Sequence, residues 1–149
     1  MNIKKSPFIL FLIFLSSCST EDTINPTAYT EKNVDGILSI NLLDRSNLDK
    51  VLEEAISLQE LNWTEDNSPA MLNGTTYTGW IKQTDEFQVG VGYLKDGIED
   101  GPFIFLYENA KPKLMGSFEK GLKSGKWTAW KTDGSIQTQE IWKQGKLLK

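Results

Sequence analysis

The side chains of this 149-residue chain that could do chemistry are paired carboxylates, tryptophans and one cysteine. Asp85-Glu86 and Glu99-Asp100 come nearest to an acid–base or calcium-binding pair. Neighbouring carboxylates on a strand or turn point in different directions, however, and no third ligand follows at a useful spacing. The sequence contains no histidine, which removes an imidazole base, a His-paired nucleophile and a His metal site. A single cysteine removes a disulfide framework and a thiolate zinc cluster. No catalytic residue, metal or cofactor is therefore expected, and the chain reads as a non-enzyme.

Eleven of the 16 aromatic residues lie between Tyr77 and Trp142. Trp80, Trp127, Trp130 and Trp142 could form a stacking platform for a sugar or peptide. Trp127 and Trp142, however, stand 24 residues after Phe103 and Phe118, an exchange of one ring for another that packing would produce. Trp80 and Trp130, the latter aligned with Leu106, are left as the candidate binding aromatics.

The same 24-residue step governs the glycines. Gly97, Gly121 and Gly145 share it, as do Gly101 and Gly125, while Gly79 stands 22 residues before Gly101. Glycine reaches positive φ without a Cβ clash, so all six are expected to be turn glycines of hairpins. The segments Phe87 to Leu94, Phe103 to Tyr107, Leu114 to Phe118, Trp127 to Lys131 and Ser135 to Trp142 are rich in aromatic and β-branched residues and predict strands. Two strands and two turns per unit make a repetitive antiparallel β-meander, a mostly β fold. The terminal strand would be open. Lys143, Lys146 and Lys149 could discourage pairing there, yet the edge could also accept a partner's strand.

Upstream, Leu48, Val51, Leu52, Ala55 and Ile56 fall on one helical face, predicting an amphipathic helix over 46–58 capped by Ser46. Residues 37–40 and 58–63 are short strand candidates, the second followed by a turn at Asp66-Asn67-Ser68-Pro69. The organisation is then a signal peptide over 1–17, a flexible tether over 18–33, a small α/β segment over 34–76 that packs on the repeats, and the repeat array over 77–149.

The signal peptide rests on Lys4 and Lys5, the nine-residue apolar run Pro7 to Leu15, and Ser16-Ser17 before Cys18. The run falls well short of the about 20 residues that span a bilayer. Leu15-Ser16-Ser17-Cys18 resembles the bacterial lipobox, at which a signal peptidase cuts before a cysteine that carries diacylglycerol. The resemblance implies lipidation at Cys18. Each buried acyl methylene contributes about 0.8 kcal/mol, so two or three chains would anchor the protein to a membrane. Ser19 resembles the residue found in outer-membrane lipoproteins, and Glu21-Asp22 resembles a Bacteroidota surface-export signal. A lipid-anchored envelope location, at the outer membrane and exposed at the surface, is the expectation.

Tyr77-Thr78-Gly79-Trp80, the pairs Gly97/Gly101 and Gly121/Gly125 with the aromatics Phe103 and Trp127 after them, and Trp142 with Gly145 resemble MORN-type repeats. The likeness is to the second, longer-period variety found in bacterial YwqK-like proteins described as antitoxins, and it covers 77–149. It implies a single-layer or slightly curled β-sheet that serves as scaffold or interaction surface, with no shared catalytic residues.

Charge is uneven along the chain. Between Cys18 and Thr78, Lys32, Arg45 and Lys50 face eleven carboxylates, whereas from Gly79 onward lysines outnumber carboxylates. This pattern argues against nucleic acid as a ligand. The expected function is a non-catalytic protein-interaction or scaffold module held to the membrane by lipid. The alternative is an antitoxin or immunity-like protein that neutralises a polypeptide toxin.

Overall fold

The computed structural model describes residues 40–63, 68–86 and 88–149. The signal peptide, Cys18 and the tether lie outside them, as do most of the 37–40 strand candidate and Asp66-Asn67 of the expected turn. The chain opens with helix α1 (Arg45–Glu54), strand β1 (Ile56–Ser57), a 3-10 turn (Leu58–Glu60) and a small hairpin of β2 (Met71–Leu72) and β3 (Thr75–Thr76). Six longer or closing strands complete the meander: β4 (Gly79–Thr84), β5 (Gln88–Lys95), β6 (Ile98–Tyr107), β7 (Pro112–Glu119), β8 (Leu122–Trp130) and β9 (Ile136–Lys143). The two-residue β10 (Lys146–Leu147) follows. One eight-stranded sheet has the order β1-β4-β5-β6-β7-β8-β9-β10, antiparallel throughout except for the β1–β4 pair.

The helix is shorter than its apolar spacing predicts. Asp44, not Ser46, is the N-cap, its carboxylate accepting the Asn47 N–H at 3.0 Å. At the other end Ala55 turns extended, and the chain leaves as β1 beside β4. Pairing of Ile56 with Ile81 thus overrides the helical period that Ile56 would have continued. Residues 58–63 likewise form the 3-10 turn and one isolated bridge, Asn62 to Met71, instead of a strand. Lys82 Nζ donates to the Leu52 carbonyl at 2.9 Å, placing a cation at the helix C-terminus.

Alternation along the strands divides the core in two. On one face α1 lays Leu48 and Val51, with Leu42 and Ala55, over Trp80, Val91, Ile104 and Leu106. On the other, Leu58, Leu61 and Ala70, with half-buried Trp63, Leu72 and Tyr77, cover Ile81, Leu94, Phe103, Phe105 and Trp127. The run Gly101 to Leu106 of β6 is buried at every residue, as expected of a strand covered on both sides. The sheet is therefore a middle layer over its first strands, and single-layered only toward β9, where exposed and half-buried residues alternate.

The repeat is visible in the hydrogen bonds. Gly97, Gly121 and Gly145 donate their N–H to the carbonyls of Tyr77, Glu99 and Lys123 at 2.7, 2.7 and 2.9 Å. Each two-residue turn has positive φ at both positions: Asp96-Gly97 (52°, 80°), Lys120-Gly121 (51°, 77°) and Gln144-Gly145 (49°, 74°). That is the type I′ geometry whose twist matches a β-hairpin. Gly79, Gly101 and Gly125 are not turn glycines. They lie within β4, β6 and β8 at φ 152°, 138° and 72°. Register shifts in β5–β6 and β7–β8 leave extra residues on β6 and β8 around Gly101 and Gly125, so these two are bulge glycines.

The opposite ends of the hairpins repeat as well. Ala110 precedes Gly134 by 24 residues, and both are left-handed, at φ 60° and 93°. An alanine there costs about 1–2 kcal/mol of backbone strain, against which glycine gives up about 0.4–1 kcal/mol through its freer unfolded chain. Ala110→Gly is expected to stabilise the protein by about 0.5–1 kcal/mol on that difference. Urea unfolding measures it, and an unchanged or lower midpoint would speak against this loop conformation.

Candidate interaction surface

Rows of side chains crossing the strands show why the array needs its glycines. Neighbouring strands lie only about 4.8 Å apart, too close for bulky rings at adjacent positions of one row. On the face opposite α1 one row reads Ile81, Gly92, Phe103, Gly116, Trp127, bulky and small in turn, before it reaches Glu140. A Cβ on Gly116 would stand 2.2 Å from the Trp127 ring. In the next row a Cβ on Gly90 would stand 2.4 Å from Phe105, its cross-strand partner. Phe103, Phe118 and Trp127 close the cluster edge to face or tilted, at centroid distances of 5.1–6.1 Å.

At the open end of this face the row changes character. Glu140 occupies the place held by Gly92 and Gly116 in earlier units, and accepts the Trp142 indole N–H at 2.8 Å. Lys123 occupies the place of Glu99, with its ammonium 4.5 Å from the Trp127 ring centre and 4.2 Å from that of Trp142. Burial pushes the Lys123 ammonium below the usual lysine range, and the Glu140 charge partly restores it. The result is a half-buried Trp142, a lysine lying over two indoles and a carboxylate, all beside the last long strand.

The residues singled out by sequence are placed differently. Trp80 is not a platform residue: it is 6% exposed, covered by α1 and in edge-to-face contact with Tyr93. Trp127 is core, at 2% exposure. Trp130 is half-buried at the end of β8, its carbonyl accepting the Tyr107 hydroxyl at 2.7 Å, so it stands at the far end of the strand from Trp142. Sequence reasoning missed the Lys123, Glu140 and Trp142 grouping. Its signal was available: Glu140 breaks the Gly92, Gly116 series, and Lys123 breaks the Tyr77, Glu99 series.

The two carboxylate pairs lie apart, one between β4 and β5 and the other in β6. Asp85 accepts the Gln88 backbone N–H at 3.0 Å and its side-chain amide at 3.2 Å. Glu99 and Asp100 lie inside β6, because the strand runs up to the tight Asp96-Gly97 corner. Among the described residues no three of His, Cys, Asp or Glu are grouped to hold a metal ion. Among them, too, no helix is long and apolar enough to cross a membrane.

Burial raises the Glu99 carboxyl above the ordinary carboxylate value, and its own backbone N–H partly opposes the shift. The folded chain thus holds this proton more tightly than the unfolded chain. The contribution is fully present below the unfolded value and is lost as pH rises through the folded one. Glu99→Gln is expected to melt at a higher temperature than the parent at neutral pH, with the difference shrinking below about pH 4. A difference equal at both pH values would show that the Glu99 charge is not what costs stability.

Comparison with protein-family models, with curated proteins and with solved structures found no match to this chain.

Proposed function

We propose that this protein is a lipid-anchored cell-envelope module whose MORN-like β array presents a surface to a protein partner and performs no chemistry of its own. The observation that carries the reading is the array itself: three units locked by the Gly97, Gly121 and Gly145 hydrogen bonds, with an aromatic cluster continuing to a half-covered end at Trp142. A repeated, rigid sheet with one face exposed at its last strands suits recognition of another macromolecule. Anchoring rests on the sequence around Cys18 and on its likeness to a lipobox. An immunity-like role against a polypeptide toxin is the same kind of act with a particular partner, and the acidic amino-terminal half would suit a basic one.

Crosslinking in intact cells with the anchored protein as bait, followed by mass spectrometry, tests the reading. The expected result is one or a few polypeptides that survive stringent washing. A single small toxic or secreted polypeptide selects the immunity role, and a stable envelope complex selects the scaffold. Recovery of no polypeptide above background overturns both. Cys18→Ala is expected to move the protein from the membrane to the soluble fraction; retention on membranes after high-salt washing would refute lipid anchoring.

A further inference from the structure

The outer edge of β9 is only partly covered. β10 pairs with Lys143 and Trp142, and the Ile141 N–H donates to the Lys149 carbonyl at 2.9 Å while its own carbonyl accepts the Leu148 N–H at 2.8 Å. Backbone groups of alternate residues point to the same side of a strand. The N–H and C=O of Gln139 therefore face outward as those of Ile141 do. Among the described residues no strand lies beside Ile136–Glu140 on that side. Exposed Ile136, Ile141, Leu147 and Leu148 flank the gap, at 38–61% exposure.

Charge and register indicate what would fill it. From Lys120 to Lys149 seven lysines face only Asp133 and Glu140, and Lys143, Lys146 and Lys149 are exposed along the edge. Glu140 in turn ends the bulky–glycine row, so an incoming strand meets a carboxylate where earlier units leave room for a ring. From this juxtaposition we propose that the β9 edge at Ile136–Glu140 is a strand-addition site for an extended acidic peptide segment, running antiparallel to β9 and carrying an uncharged residue opposite Glu140. Backbone bonds to Gln139 supply the pairing, the exposed isoleucines and leucines take its apolar side chains, and the lysines select against basic strands.

This inference rests on the reading of the array as an interaction module, and its test is separate from the crosslinking. The probe is a ten-residue blocked peptide of alternating valine and glutamate with a threonine at the position facing Glu140, added to the purified chain. Binding is expected at least tenfold tighter than for the same peptide with lysine for glutamate, or with N-methyl groups on the residues that would face Gln139. Bound peptide should slow hydrogen exchange at the Gln139 amide. Gln139→Pro, which removes an outward N–H and no bond to β8, should weaken binding at least tenfold with an unchanged melting temperature. Equal binding of the N-methylated peptide would mean that charge alone attracts it, and would overturn the proposal. So would protection that maps away from β9, or no binding at all. If crosslinking captures a partner while the peptide fails, the edge site is wrong and the interaction reading stands.

Discussion

Replacing Trp127 with alanine should lower the unfolding free energy by about 3–5 kcal/mol, and adding Gly116→Ala to that variant should cost little more. Trp127 is 2% exposed and meets Phe103 and Phe118 in the cluster that links the last two repeats. Truncating it removes a large apolar area and leaves a cavity that a β-sheet, fixed by its ladder bonds, cannot collapse to fill. In the parent, by contrast, Gly116→Ala alone places a methyl 2.2 Å from the indole ring and should cost about 2–3 kcal/mol through overpacking. The two changes act on one contact, so their effects should be strongly non-additive. Urea unfolding of the two single variants and the double variant measures the coupling. Additive effects would mean that the ring does not lie over Gly116.

The glycines should not be equally important. At Gly97 φ is 80°, and a Cβ would stand 2.6 Å from both the backbone nitrogen and the carbonyl oxygen of Ala70. The same turn accepts the Ala70 N–H at 2.8 Å, so the covering segment is tied to it and cannot withdraw without losing that bond. Left-handed strain of about 1–2 kcal/mol and overpacking of about 1–3 kcal/mol both apply to Gly97→Ala. Gly125 has φ 72° with nothing within 4 Å of a built Cβ, so Gly125→Ala meets the strain alone. Thermal unfolding should rank Gly97→Ala well below Gly125→Ala. Equal melting temperatures would show that Ala70 does not close over the turn.

Much of this fold can be read from the sequence, because repetition amplifies weak local signals. One Asp-Gly pair suggests a hairpin; three two-residue turns at a 24-residue step require a meander, and the strands follow as the segments between them. The sequence is ambiguous where two physical demands produce the same letter. Gly101 and Gly125 recur as the turn glycines do, but what they permit is a bulge within a strand. In the sequence Trp80 reads as a candidate binding aromatic. Its position is set instead by α1, whose distance along the chain hides the contact. Ile56 fitted the helical period and was taken by pairing with Ile81. The grouping of Lys123, Glu140 and Trp142 depends on which residues become neighbours across strands, and periodicity marks it only as a departure from the pattern.

The array can offer a surface to a partner only if its three units form one continuous sheet in which, among the described residues, the β9 edge is left unpaired at Ile136–Glu140. Amide hydrogen exchange of the full chain, read residue by residue, tests this most directly. Exchange is expected to be slow at Gly97, Gly121 and Gly145, whose N–H groups bond to the preceding unit, and fast at Gln139, whose N–H faces outward. Fast exchange at any of the three glycines would contradict the locked repeat, and slow exchange at Gln139 would contradict the open edge.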